Sequence, residues 1–317
     1  MLARHPGVAL VVCLTLSAVA SAEETRLLRR PTVSRDNVAF MYAGDIWVVP
    51  RSGGQARRLT ATPEAESNPR FSPDGSRIAF TATVAGNTDV FVVPAGGGQP
   101  TRLTYHPGAD VVRGWTRDGR GVLFASSRAT LPTPGGNSFF RLWTVGADGG
   151  FEELLPLPRA FTGSFSPDGR RMAYEEIALA MFAAQWAEPQ GSQWRHYRGG
   201  RTHPIRIMNL ADHSVEKLPW VDSNDSEPMW IGNTIYFLSD RNFTTNLFSY
   251  SLDTRQLTQL TRHDDFDIMS ASAGPDAVVY EQSGYIHLVD AKTGQSRKLT
   301  VEVSGDLPWA RPQLKKV

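Results

Sequence analysis

The chain has 317 residues, a length that suits two average domains or one large all-β domain. Hydrophobic residues make up 41% and charged residues 21%, which excludes a disordered or collagen-like chain. With 33 basic and 32 acidic residues the formal net charge is +1, so no polyanion-binding surface is implied and no nucleic-acid partner is expected.

Residues 1–22 read as a signal peptide. Arg4 and His5 give a positive start, Val8 to Val19 is apolar but too short to span a bilayer, and Ala20-Ser21-Ala22 offers a small-residue cleavage site. The expected destination is the periplasm or the exterior, with no membrane association after cleavage. Cys13 is the only cysteine and lies inside this segment. The mature chain then has no thiol for disulfides, nucleophilic catalysis or zinc ligation.

From there one pattern recurs. Its clearest copy begins Asn68-Pro69-Arg70-Phe71-Ser72-Pro73-Asp74-Gly75 and continues with Arg77-Ile78-Ala79-Phe80, Asp89-Val90-Phe91-Val92-Val93 and Thr101-Arg102-Leu103-Thr104. Ser-Pro-Asp-Gly is a tight turn: proline sets φ, aspartate bonds its own backbone, and glycine takes positive φ. The apolar pieces are short, β-branched or aromatic, as strands are. Four strands in about 40 residues make one propeller blade.

An aromatic at the end of the second strand counts the copies: Phe40, Phe80, Phe124, Tyr174, Phe237 and Tyr280. Fourth-strand endings agree, from Leu59-Thr60 and Leu103-Thr104 to Leu260-Thr261 and Leu299-Thr300. The expected fold is all-β: a six-bladed β-propeller of four-stranded antiparallel blades over 23–303, preceded by the signal peptide. Each copy starts at its innermost strand, so the first and last blades are expected to meet by face packing alone. After Leu299-Thr300 the stretch Val301 to Trp309 reads as a linker, with 304–317 leading toward a following domain.

Two insertions break the period. Leu131 to Asn137 reads as a plain loop in the third repeat. Ile177 to Pro204 in the fourth holds an Ala-rich stretch, 178–187, with the composition of a short helix, and then Trp194-Arg195-His196-Tyr197-Arg198-Gly199-Gly200. Loops that carry aromatic and basic side chains on a rigid ring are candidates for substrate contact.

Motifs of catalysis are not apparent. There is no Gly-x-Ser-x-Gly elbow, phosphate loop or His-Glu-x-x-His helix, and none of the seven histidines pairs at metal-ligand spacing. His263-Asp264-Asp265 with Asp267 reads as a solvated loop whose carboxylates bond their own turn. No catalytic residue, metal or cofactor is assigned.

The repeat from Phe71-Ser72-Pro73-Asp74-Gly75 to Leu103-Thr104 resembles that of TolB and tricorn-type proteases. Trp194-Arg195-His196-Tyr197-Arg198-Gly199-Gly200 with Pro204-Ile205 is more specific, resembling a stretch of the six-bladed tricorn propeller. The resemblance covers about 27–317. It implies the amino-terminal, non-catalytic propeller of a tricorn-like serine protease, acting as a peptide channel or substrate-selecting module; the signal peptide departs from the family's cytosolic members and points to an exported subgroup. Its implied partners are peptides or unfolded polypeptide and the family's later propeller, PDZ and protease domains; homo-oligomerisation is left open. The family's peptide-gripping arginine pair is expected just before the innermost strand of the third blade, where a single Arg113 stands. Arg113, Trp194, Tyr197 and Arg198 are therefore the candidate substrate-binding residues. The alternative is a free-standing TolB-like periplasmic propeller that binds a protein partner.

Overall fold

The computed structural model describes residues 24–62, 64–128, 140–176 and 202–304. Within them the regular structure is β-strand, arranged in six sheets. Blades 1 to 6 span 29–58, 66–102, 110–154, 162–217, 225–259 and 268–299. Every blade is an antiparallel meander whose strands lie in chain order. The first strands are innermost: Arg29–Val33, Glu66–Phe71, Asp110–Trp115, Thr162–Phe165, Asp225–Ile231 and Ile268–Ala273. Each touches the next, and the sixth touches the first, which closes a ring around an axis.

A blade is apolar on both faces, so each face needs a neighbour. Six buried clusters meet that need, one per interface between blades. Phe40 and Trp47 of blade 1 pack with Val279 and Ile286 of blade 6. Phe80 of blade 2 packs with Ile46 and Val48 of blade 1, and the remaining four interfaces follow suit. The counting aromatics Phe40, Phe80, Phe124, Tyr174, Phe237 and Tyr280 are all at most 3% exposed. They do not end the second strand. Each is its fourth residue, and the strand runs on past it by one to four residues.

The turn and strand-end motifs have direct structural causes. Ser72 Oγ accepts the Arg77 amide and donates to Asp74, and Ser166 does the same with Arg171 and Asp168. Thr116 substitutes for serine in blade 3 with the same two contacts. Gly75, Gly119 and Gly169 have φ near +70°, the left-handed conformation the turn needs. The Leu-Thr endings lock the outermost strand to the third. Leu59, Leu103 and Leu260 donate their amides to Ile46, Val90 and Leu247. The threonine that follows accepts the amide of that same residue, as in Thr60 to Ile46 and Thr104 to Val90.

The seam differs from expectation. Blades 1 and 6 are not joined by face packing alone, and Val301–Val303 is a strand rather than linker. It pairs in parallel with Gly54–Arg58, the outermost strand of blade 1, giving that sheet five strands. Val301 is fully buried. The segment before blade 1 completes the staple: the Thr25 amide donates to Val301, the Val303 amide to Thr25 Oγ1, and Lys298 meets Glu24 at 2.6 Å. The outer edge of blade 1 presents unpaired backbone groups, and the chain leaving blade 6 passes alongside them.

Truncation after Thr300 removes this strand, the Val301 burial and the ladder to blade 1. It is expected to lower stability by about 2–4 kcal/mol, measured by urea unfolding against the intact chain.

Candidate functional site

The ring has two mouths. Tight turns surround one, and the connections between blades surround the other. At the turn mouth a funnel of about 190 Å³ opens along the axis, lined by the second halves of the innermost strands. Its rim carries Pro73, Arg117, Pro167 and Pro275, and its wall Trp115, Phe165, Met229 and Trp230. Arg70, Arg113 and Glu227 lie at its inner end.

The strands place these charges by breaking their own pairing. Antiparallel register slips in five of the six innermost strands. The residues skipped are Arg30-Pro31, Asn68-Pro69, Arg113, Glu227-Pro228 and Met269. A bulge bends its strand and re-aims a side chain, and proline fits there because it has no amide to give. Arg30, Asn68 and Glu227 precede the prolines and take φ of 50–52°. The amides freed nearby bond to the adjoining blade instead. Phe71 N donates to Thr32 Oγ1, Val112 N to Thr81 Oγ1, and Trp230 N to Ser164 Oγ.

The result is a charged cluster across the axis. Arg30, Arg70 and Arg113 come from blades 1, 2 and 3 and are 4%, 7% and 5% exposed. Glu227, from blade 5, lies 3.9 Å from Arg30 and 3.7 Å from Arg70. Blades 2 and 5 are opposite in a ring of six, so the Arg70–Glu227 pair spans the axis. Two further carboxylates flank the cluster. Glu281 accepts the Arg30 amide and the Ser270 hydroxyl, and Glu175 accepts the Glu227 amide.

Arg113 is thus placed within its strand and toward the axis, not in the loop before it. Its guanidinium lies 3.6 Å from the centre of the Phe161 ring. Burial pulls its pKa down to about 9, with Glu227 opposing and the neighbouring Arg30 and Arg70 adding to the fall. Burial also lowers Arg30 and Arg70. Trp194, Tyr197, Arg198 and the 178–187 stretch lie outside the described residues. Sequence reasoning missed Arg30, Arg70 and Glu227, although a signal was present: Arg30-Pro31, Asn68-Pro69 and Glu227-Pro228 recur at one point of the repeat.

Among the described residues, no group of three or more His, Cys, Asp or Glu side chains is placed to hold a metal ion. The acidic loop follows the reading only in part: Asp265 accepts its neighbour Phe266 N, but Asp267 accepts Thr245 N of another loop, each at 2.7 Å. Beside it is a second polar cluster. His263 Nε2 meets Tyr280 OH at 3.1 Å, and the Tyr280 ring stacks on His287 with centroids 4.9 Å apart. Burial first, then His263 and Lys298, push His287 down to about 4.

The fold and the axial site define a six-bladed propeller with a charged, solvent-entered axis. Residues 25–295 match the family model described as the tricorn protease N-terminal beta propeller domain, and the chain belongs to that family. It is 32% identical to tricorn protease homolog 1 of Streptomyces coelicolor over 285 residues, covering 88% of this chain and 25% of that protein. The chain therefore spans about a quarter of that relative's length. The crystal structure of the tricorn protease superposes with TM-score 0.71 at 24% identity, covering 86% of this chain and 26% of that one. TolB from Acinetobacter baumannii shares the fold, with TM-score 0.59, 17% identity, and 79% and 58% covered.

Two measurements test this electrostatic picture. Among the described residues Arg113 has no carboxylate within ion-pair distance, so Arg113→Met is expected to raise stability by about 1–3 kcal/mol; Glu227→Ala strands two guanidiniums and is expected to cost about 3–5 kcal/mol. His287 has a folded pKa below its ordinary 6.5, so its stabilising contribution is complete above pH 6.5 and is lost as pH falls toward 4. His287→Phe, which keeps the stack on Tyr280, is expected to flatten that limb in a pH series of unfolding curves.

Proposed function

We propose that this propeller is the non-catalytic, peptide-selecting portion of an exported tricorn-like serine protease. The observation that carries the reading is membership of the tricorn N-terminal propeller family over nearly the whole chain, joined to an axial funnel with buried charge. The later propeller, PDZ and protease domains of such a protein are its partners in this reading. Residues 1–22 direct export to the periplasm or beyond.

Peptide selection follows from the chemistry of the funnel. Its aromatic and proline wall accepts apolar side chains, and its arginine floor favours negative charge. Arg113 contacts the peptide from within the funnel, with Trp194, Tyr197 and Arg198 as further contacts. An extended chain that passes the whole axis has to part Arg70 from Glu227, so the cluster acts as a filter rather than an open bore. The TolB-like alternative rests on fold likeness alone.

Fluorescence anisotropy with a labelled, unstructured peptide tests this on the purified mature chain. Saturable binding without turnover is expected, weakened about tenfold or more by Arg113→Gln, the loss of one charge-assisted contact. Cleavage of the peptide by this chain would overturn the non-catalytic assignment, and absence of binding would overturn the peptide role.

A further inference from the structure

Three innermost strands begin with a fully buried acid: Glu66 in blade 2, Asp110 in blade 3 and Asp225 in blade 5. Two of these acids are neutralised in the same way. A serine stands opposite on the second strand, Ser126 or Ser239, and an arginine two residues further on, Arg128 or Arg241, pairs with the acid. In blade 2 the opposite residue is Ala82, and Val84 stands where the arginine would be. Among the described residues no guanidinium or ammonium lies within ion-pair distance of Glu66, and Asp45 of blade 1 is a second negative charge beside it. The charges on the strands packed against it are engaged elsewhere. Arg30 and Arg113 belong to the axial cluster, Asp110 is held by Arg128, Arg77 by Asp148, and Asp45 by Arg58 at 2.7 Å; Arg29 and Tyr42 complete the ionisable groups.

Glu66 meets hydroxyls instead of a cation. Oε2 contacts Thr60 Oγ1, which accepts the Ile46 amide, and Oε1 lies 2.9 Å from Thr62 Oγ1. Thr62 Oγ1 is also 3.2 Å from the carbonyl of Glu64. With Glu66 ionised, two hydroxyl protons have to serve three acceptors: both carboxylate oxygens and the Glu64 carbonyl. A hydroxyl donates once and accepts twice, so one more proton completes the set. Carried on Oε1, it is donated to Thr62, Thr62 donates to the Glu64 carbonyl, and Thr60 donates to Oε2. Burial of a carboxylate without a cation also favours the neutral form. It pushes the Glu66 pKa up to about 7, against the pull of the two threonine hydrogen bonds and with Asp45 adding to the rise.

We propose that Glu66 is a proton-operated clamp at the joint of blades 1 and 2: protonated, it fastens Thr60 and Thr62 at the end of blade 1 to the head of blade 2, and ionised, it loosens them. The joint is held by few other polar links. The Glu66 amide donates to the carbonyl of Gly44 in the second turn of blade 1, at 2.9 Å, and Thr60 ties back to Ile46. Loss of the proton leaves a buried charge and an unfilled acceptor at that point, so these links open more often. The strand that follows carries the bulge at Asn68-Pro69 and then Arg70, so the clamp sits at the entry to an axial strand. This device is independent of whether peptides pass through the axis.

The test is a pair of urea unfolding series on the full chain, wild type and Glu66→Gln, at fixed ionic strength from about pH 5 to about pH 8.5. The folded carboxyl keeps its proton to about 7 and the unfolded one to its ordinary 4.5, so its stabilising contribution is complete below pH 4.5 and is lost as pH rises through 7. The carboxamide keeps the shape and a donor without the charge. Relative to it, the wild-type midpoint is expected to fall up to about pH 7 and to run parallel above that; other titrating groups, His287 among them, are common to both chains and cancel. Hydrogen exchange reads the joint itself. Protection of the Ile46 and Glu66 amides, corrected for the intrinsic rate, is expected to drop about tenfold or more between about pH 6 and about pH 8 in wild type and to stay level in Glu66→Gln. Ala82→Ser with Val84→Arg supplies the partners used in blades 3 and 5 and is expected to remove the pH-dependent fall. Infrared spectra of chain with isotope-labelled glutamate are expected to show a protonated-carboxyl band at about pH 6 that is missing in Glu66→Gln. Parallel unfolding series across the whole range, or absence of that band from the wild type, would overturn the proposal.

Discussion

The whole structure depends on one constraint: each blade has two apolar faces and cannot bury either by itself. Six modules set face to face around an axis satisfy it, and the six buried clusters are the direct expression of that packing. The second strand carries much of the burden, because it has, like the third, neighbours on both edges and both faces. Its fourth residue is aromatic in every blade and sits at an interface between blades. A ring built this way has one discontinuity, where the first blade meets the last. Here the chain crosses it with backbone as well as side chains, by pairing Val301–Val303 with the outer edge of blade 1.

The innermost strands answer a different demand. Near the axis six strands converge, and regular pleating would send alternate side chains into a space too narrow for them. Bulges at Arg30-Pro31, Asn68-Pro69, Arg113, Glu227-Pro228 and Met269 relieve the crowding and redirect what lies there. Amides released by the bulges turn to hydroxyls on the adjoining blade, so the irregularity that weakens a sheet internally also ties it to its neighbour. Charged side chains at these points end up deep in the ring, where the medium is poor at solvating them. The apolar interfaces supply the stability that lets such a cluster persist.

This arrangement separates the ring's architecture from its chemistry. The Leu-Thr strand ends and serine turns maintain the blades, and the same features serve any propeller of this repeat. Arg30, Arg70, Arg113 and Glu227 are not needed to build a blade, and burying them works against stability. Costly polar groups gathered in one solvent-entered cavity are the feature by which a binding site stands out from its scaffold.

Much of the fold was legible in the sequence because its determinants are local. A Ser-Pro-Asp-Gly turn needs only neighbouring atoms, and the period of the aromatics follows from one blade being repeated. The seam strand was not legible, because Val301-Glu302-Val303 becomes a strand only when the edge of blade 1, some 250 residues earlier, is alongside it. The axial charge cluster was half legible: Arg113 was singled out in the sequence, but its company was not. Residues 30, 70, 113 and 227 share no local pattern of charge, and only closure of the ring brings them to one axis. Sequence by itself thus determined the repeating unit and its number, since the turns and the strands of a blade are set within about 40 residues. Tertiary structure decided how the ring is fastened and which charges meet, since both depend on register slips and on distances across the ring that no short-range pattern encodes.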